Sequence, residues 1–154
     1  MNMKESAFDT TALTLALHET ISSTRSAVDQ AVERIMEIVR MMPCASATLD
    51  EIELALSEAL ANAVVHGNHE DPTKRVDICG ACEGLDNLIL IVTDEGQGFD
   101  PASILDPTSV SNLMATHGRG VFLICHLMDE VEFRLNGRQI ILRKKNAAIE
   151  TFTS

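Results

Sequence analysis

Hydrophobic positions along this chain hold one spacing for a stretch and then change to another. Residues 11–17, TALTLAL, alternate enough to predict an opening strand. From about Ser23 to Met42 the repeat lengthens. Val28, Val32, Ile35, Val39 and Met42 recur at steps of four and three, one face of a helix, and Pro43 ends it. Thr48-Leu-Asp-Glu51 spells a capping box, in which each side chain can satisfy an orphan backbone donor. The helix it opens carries Ile52, Ala55, Leu56, Ala59, Leu60, Ala63 and Val64 on one broad face and meets Gly67 as its expected stop.

The second half predicts strands. Residues 75–82 and 88–93 read as a hairpin across Glu83-Gly-Leu-Asp-Asn87, and the unbroken apolar run Leu88–Val92 suits a central strand. Residues 94–118 hold Gly, Pro, Ser, Thr, Asn and Asp with little periodicity, a length of loop that is usually functional. A short helix is expected from about Arg119 to Met128. Val131, Phe133 and Leu135 then alternate into Asn136-Gly137, a strong hairpin signal, and Ile140-Ile-Leu142 returns. The order β-α-α-β-β-loop-α-β-β predicts an α+β sandwich with helices on one face of the sheet.

Composition narrows the function classes. The 154 residues favour one domain, and an apolar share of 45% excludes a disordered chain. The formal charge of −11 disfavours nucleic acid as main partner, because phosphate binding wants a basic footprint. No apolar run is long enough to span a bilayer, and MNMKESAFDTT lacks the apolar stretch of a signal peptide, so a cytoplasmic protein is expected. Cys44, Cys79, Cys82 and Cys125 are irregularly spaced, and no disulfide framework is expected. Cys79-Gly-Ala-Cys82 has no second CxxC or HxxxH to complete a zinc site. It lies in a predicted strand, where residues three apart face opposite sides, so two small buried hydrophobes are the expectation.

Three segments carry candidate chemistry. On the second helix, Glu58, Asn62 and His66 stand four residues apart, on one stripe at the edge of an apolar face. A solvated polar stripe would have the same spacing. Asp94-Glu-Gly96-Gln-Gly98-Phe99 follows the central strand. Glycine there allows a ligand close approach, and an Asp at a strand end can accept from an exocyclic amine such as adenine's. His117-Gly118-Arg119-Gly120 opens the short helix, whose free N–H groups would suit an anion. Neither a Walker A loop nor the GxGxxG dinucleotide fingerprint occurs.

Each segment alone is weak, but their order and placement resemble the N, G1 and G2 boxes of the GHKL superfamily: gyrase, the heat-shock chaperone, histidine kinases and MutL. The resemblance covers about residues 10–145 and implies the Bergerat ATP-binding fold, a two-layer sandwich with a mixed, mostly antiparallel sheet. Several members append a second domain that supplies a catalytic lysine, and from the length of this sequence no such domain is expected. It is most similar to the anti-sigma factor serine kinases of bacterial partner switching. By that resemblance Asn62 binds the Mg²⁺ that bridges the ATP phosphates, and Glu58 is the general base. Asp94 receives the adenine amine, and Gly96 and Gly98 make room for the base. Gly118 and Gly120 present N–H groups to the phosphates, residues 101–116 form the lid, and His66, His117 and Arg119 join the cofactor-binding set.

The resemblance also implies a STAS-type anti-anti-sigma protein and a sigma factor as partners, and a homodimer. One position departs from the family. A threonine commonly precedes the last strand's apolar residues and helps bind adenine, and here Gly137 is followed by Arg138-Gln139-Ile140, with Gln139 as the substitute contact. Two other readings compete: a non-catalytic ATP-binding module, and a detached histidine-kinase catalytic domain. For the latter, His18-Glu19 is followed by Thr20-Ile-Ser-Ser instead of the arginine and Thr-Pro of a phosphoacceptor box. His18 is expected to be an ordinary residue leaving the first strand.

Overall fold

The computed structural model describes residues 13–45, 48–99 and 118–146, with the backbone alone at residues 13, 118 and 119. β1 (Leu13–Ser22) leads into α1 (Arg25–Met41) and α2 (Leu49–Asn62), which continues as a π-helical turn, Ala63–Gly67. β2 (Arg75–Glu83) and β3 (Asn87–Thr93) form the expected hairpin. α3 (Gly118–Leu127), β4 (Glu130–Arg134) and β5 (Gln139–Lys145) complete the described chain. The strands lie in the order β1-β2-β3-β5-β4, and every neighbouring pair is antiparallel. The α+β expectation is met.

Period-two alternation sets which side chains meet the helices. Val76, Ile78 and Cys82 of β2, Leu88, Leu90 and Val92 of β3, and Ile140 and Leu142 of β5 join one buried cluster with Val28, Ile35 and Met36 of α1 and Ile52, Leu56 and Leu60 of α2. Side chains such as Ile35, Leu56, Leu60, Leu90 and Leu142 are fully buried, each stabilising the sandwich by about 1.5–3 kcal/mol. β1 is longer than the expected 11–17 and contains His18. The alternation continues as Leu17, Glu19 and Ile21 on the helix side, with Glu19 accepting from Arg34 of α1 at 3.2 Å. A charge on an otherwise apolar face hid that continuation.

Of three local expectations, two are corrected. Thr24, not Thr48, makes a side-chain cap: its Oγ1 accepts from the Ala27 N–H at 3.2 Å, whereas Thr48 (φ −137°, ψ 42°) makes no such bond. Gly67 is the helix stop that was expected, reached through a π turn in which Asn68 donates its N–H to Ala63 O at 2.8 Å. The Asn136-Gly137 hairpin is a longer loop than its dipeptide suggested, since Leu135 leaves the strand and takes φ +54°.

The cysteines also depart from expectation. Cys44, between α1 and α2, and Cys82, on β2, form a disulfide across a sequence separation of 38, with Cα atoms 5.8 Å apart. Cys82 is therefore a cross-link as well as a buried apolar group. Cys79 points to the other side of the sheet as spacing predicted, and burial makes its thiol and that of Cys125, both outside the disulfide, harder to ionise. Asn146 closes the same end of the molecule, donating from Nδ2 to Pro43 O and Leu85 O.

Candidate functional site

A cleft opens between the end of α2, the ends of β3 and β5, and the start of α3. Asn62, His66, Asp94, Gly98, Phe99 and Val121 are among the residues lining it. Segments far apart in sequence thus converge on one cavity.

At one end, Glu58 and Asn62 stand a helical turn apart on α2, and Gly120 in the first turn of α3 lies flush against both. A Cβ added at Gly120 would sit 2.8 Å from Asn62 Nδ2 and 3.0 Å from Glu58 Oε2. A side chain there would push those two side-chain ends aside. Neither Glu58 nor Asn62 makes a hydrogen bond or ion pair to another described residue, and both stand beside the first described turn of α3. Among the described residues no group of three or more His, Cys, Asp or Glu side chains is arranged to hold a metal. An amide oxygen and a carboxylate, hard donors with one glycine-sized gap before them, fit Mg²⁺ bound chiefly by phosphate oxygens and water.

At the other end is Asp94, 9% exposed at the end of β3. Its N–H donates to Arg138 O at 2.9 Å, and its Oδ1 accepts from the Gly96 N–H at 2.8 Å. Burial raises its pKa above the ordinary carboxylate value, opposed by the Gly96 bond and then by Arg138 and Lys74. The carboxyl packs on Gly67, where any Cβ would strike it, and Gly67 O in turn leaves no room for a side chain at residue 96. Gly98 has φ +78°, a conformation costly for other residues, and the next N–H, from Phe99, donates to Asn136 O at 2.8 Å. Phe99 then meets Phe133 edge-on with ring centroids 5.4 Å apart. One buried acceptor against an apolar wall of Val92, Phe133 and Ile140 suits a flat heterocycle bearing an amine.

Most sequence candidates gather here. His66 lines the cleft one turn beyond Asn62, and its pKa is lowered by burial and then by His69 and Arg25, which favours the neutral ring. Gly118 opens α3 and Arg119 follows it. His117 and residues 101–116, the expected lid, lie outside the described residues. Glu58, Gly96 and Gly120 stand beside lining residues without lining the cleft themselves. Gln139 lies off it. It pairs with Thr93 across β3 and β5, donates to Thr93 Oγ1 at 3.0 Å, and does not line the cleft, whereas its neighbours Arg138 and Ile140 do. Strand alternation turns it to the opposite face of the sheet, so it cannot replace the missing threonine. Phe99, Phe133, Arg138 and His69 were not anticipated as lining. The alternation Val131-Phe133 carried a signal for Phe133 alone.

The family of histidine kinase-like ATPase domains matches residues 21–144. The chain belongs to that family. It is similar to the anti-sigma F factor of Clostridium acetobutylicum, 32% identical over 107 residues that cover 66% of this chain and 73% of the relative. It is also similar to the serine-protein kinase RsbW of Bacillus subtilis, 39% identical over 94 residues that cover 54% of this chain and 58% of that protein. A third relative, the anti-sigma F factor of Heyndrickxia coagulans, is 30% identical over 110 residues, 67% of this chain and 75% of its own length. No described helix is long and apolar enough to cross a membrane.

Proposed function

We propose that the protein is an ATP-dependent serine/threonine protein kinase and anti-sigma factor, which phosphorylates a STAS-type anti-anti-sigma protein and binds a sigma factor. The observation that carries this reading is the pairing of Glu58 and Asn62, neither bonded to another described residue, against Gly120 beside a cleft that also holds buried Asp94. The relatives named as anti-sigma factors and serine-protein kinase give the reading its partner class.

In this mechanism Asp94 accepts the 6-amino hydrogen of adenine, and Val92, Phe133 and Ile140 cover the ring's faces. Asn62 and the N–H groups at the start of α3 hold the triphosphate. Mg²⁺, held through Asn62 with Glu58 beside it, would supply neutralisation of phosphate charge. Glu58 removes the proton from the acceptor hydroxyl. The hydroxyl oxygen bonds to the γ-phosphorus as the bond to the β-phosphate oxygen breaks, leaving ADP and a phosphoester. Positioning and electrostatics carry most of the rate, and the carboxylate adds the proton acceptor. The reading carries a cytoplasmic location and a homodimer with it.

Purified protein with Mg-ATP is expected to transfer phosphate to a serine or threonine of a STAS-type protein, read by mass spectrometry of the partner. Acid-labile phosphohistidine on this chain would favour the histidine-kinase reading instead. That reading has a poor acceptor in His18, which sits inside β1 with Nε2 3.4 Å from Asp77 Oδ1. ATP binding with no transfer to any partner would favour the non-catalytic module. Asn62→Ala is expected to lose Mg²⁺-dependent nucleotide affinity.

A further inference from the structure

Between the π turn and β2 the backbone does something expensive. Asn68 sits at φ −92°, ψ 0°, and the next two residues, His69 and Glu70, are both left-handed at φ +53° and +55°. Two consecutive non-glycine residues in that region cost roughly 1–2 kcal/mol each. Such strain persists only where surrounding contacts over-determine the chain. Those contacts converge on the Asn68 side chain, which is fully buried and absent from the cleft lining.

Every polar hydrogen and one lone pair of that amide are used. Nδ2 donates to Ser23 Oγ at 2.8 Å and to Arg75 O at 3.0 Å, and Oδ1 accepts the Glu95 N–H at 2.9 Å. Ser23 Oγ passes the chain on to Lys74 O at 2.9 Å. Glu95 is tied back to the same strand, accepting the Arg75 N–H on Oε1 at 3.1 Å. A single side chain therefore joins the end of β1, the start of β2 and the loop after β3. Its acceptor grips the residue next to Asp94, while the Asp94 N–H is gripped from the other side by Arg138 O.

We infer that Asn68 is a positioning residue for base recognition. It fixes the Asp94–Gly96 loop so that the Asp94 carboxylate, which the burial of its charge would otherwise push toward reorientation or water, stays aimed into the cleft. The inference rests on the reading of Asp94 as the acceptor of the adenine amine. It adds that selectivity for the amine depends on a side chain that never touches the nucleotide.

The test compares ATP with purine riboside triphosphate, which keeps the ring and phosphates but lacks the 6-amino group. In Asn68→Ala, ATP affinity is expected to fall about tenfold, the size of one hydrogen bond to a charged acceptor, while affinity for the analogue changes less than about twofold. The core variant Ile35→Val, a destabilising control remote from the loop, is expected to leave the ratio of the two affinities unchanged. Parallel loss of both ligands in Asn68→Ala, or an unchanged ratio, overturns the inference.

Ser23→Ala keeps the bond to Glu95 and removes the support behind it. It carries the test if Asn68→Ala does not fold, with an expected loss of about threefold in the same ratio. If the wild-type protein shows no preference for ATP over the analogue, the reading of Asp94 fails. Amide exchange at Glu95 in the nucleotide-free protein then still judges the clamp: about tenfold faster exchange in the variant supports it, and unchanged exchange sinks it.

Discussion

The two ends of the cleft are built on opposite principles. Around Asp94 the polar groups satisfy one another: Asn68, Glu95, Gly96 and Arg138 lock a loop whose backbone has little freedom left. Around Glu58 and Asn62 the side chains are half-buried and engage no described partner. In the proposed mechanism the first end is finished before a ligand arrives, since selectivity for one base would depend on an acceptor that cannot turn away. The second leaves donors and acceptors unspent, as a site for a charged, metal-bound and reacting group must. Rigid recognition and unspent polarity are separated by the length of the cleft.

The sharpest test of that contrast lies at the open end. Glu58→Ala is expected to lower the rate of phosphate transfer about 10²–10⁴-fold with ATP affinity nearly unchanged, read by single-turnover transfer and calorimetry. Full transfer activity in that variant would remove the carboxylate from the mechanism.

The disulfide separates stability from the site. Cys44→Ser should cost about 3–4 kcal/mol of unfolding free energy through the 38-residue loop it releases, measured by urea denaturation, while nucleotide affinity stays within about twofold. Equal midpoints for reduced and oxidised wild-type protein would deny the cross-link a stabilising part.

Gly120→Ala puts a methyl group where Asn62 and Glu58 lie, and Mg-ATP affinity should drop by up to about a hundredfold, with a smaller change for Mg²⁺-free nucleotide. Equal losses with and without Mg²⁺ would assign Gly120 to general packing.

Asp94→Asn acts at the finished end, in two directions. Burial raises the Asp94 pKa, so the folded state holds that proton more tightly than the unfolded chain. The associated stability is complete below the unfolded pKa and is lost as pH rises through the folded one. The variant, with no charge to bury, should therefore melt above wild type at neutral pH, and the advantage should shrink in acid. ATP affinity should meanwhile fall about tenfold. A melting difference that does not vary with pH would break the link between burial and recognition.

How much of this was legible depended on the range of the interaction. The helices and hairpins were readable because Val28-Val32-Ile35-Val39 and Leu88–Val92 advertise their own periods. Thr48 misled because a capping box is only a spelling until the backbone adopts the cap geometry. The candidate residues Glu58, Asn62, Asp94 and Gly120 could be named from three short patterns. Arg138 and His69 could not, since they reach the cleft only through turns whose conformations depend on distant contacts. Gln139 was misassigned for a related reason: a residue one position off in a strand faces the other side of the sheet.

The chain by itself determined its elements, its acidic character and the chemical vocabulary of the cleft, because these follow from local spacing and side-chain type. Tertiary structure decided what those residues do for one another. It alone brought Cys44 to Cys82 and set Gly120 against Asn62. It also turned an unremarked Asn68 into the tie between two strands and a loop. Hydrogen bonds and close contacts are made in three dimensions between groups tens of residues apart, and no one-dimensional period encodes which buried amide will face which N–H.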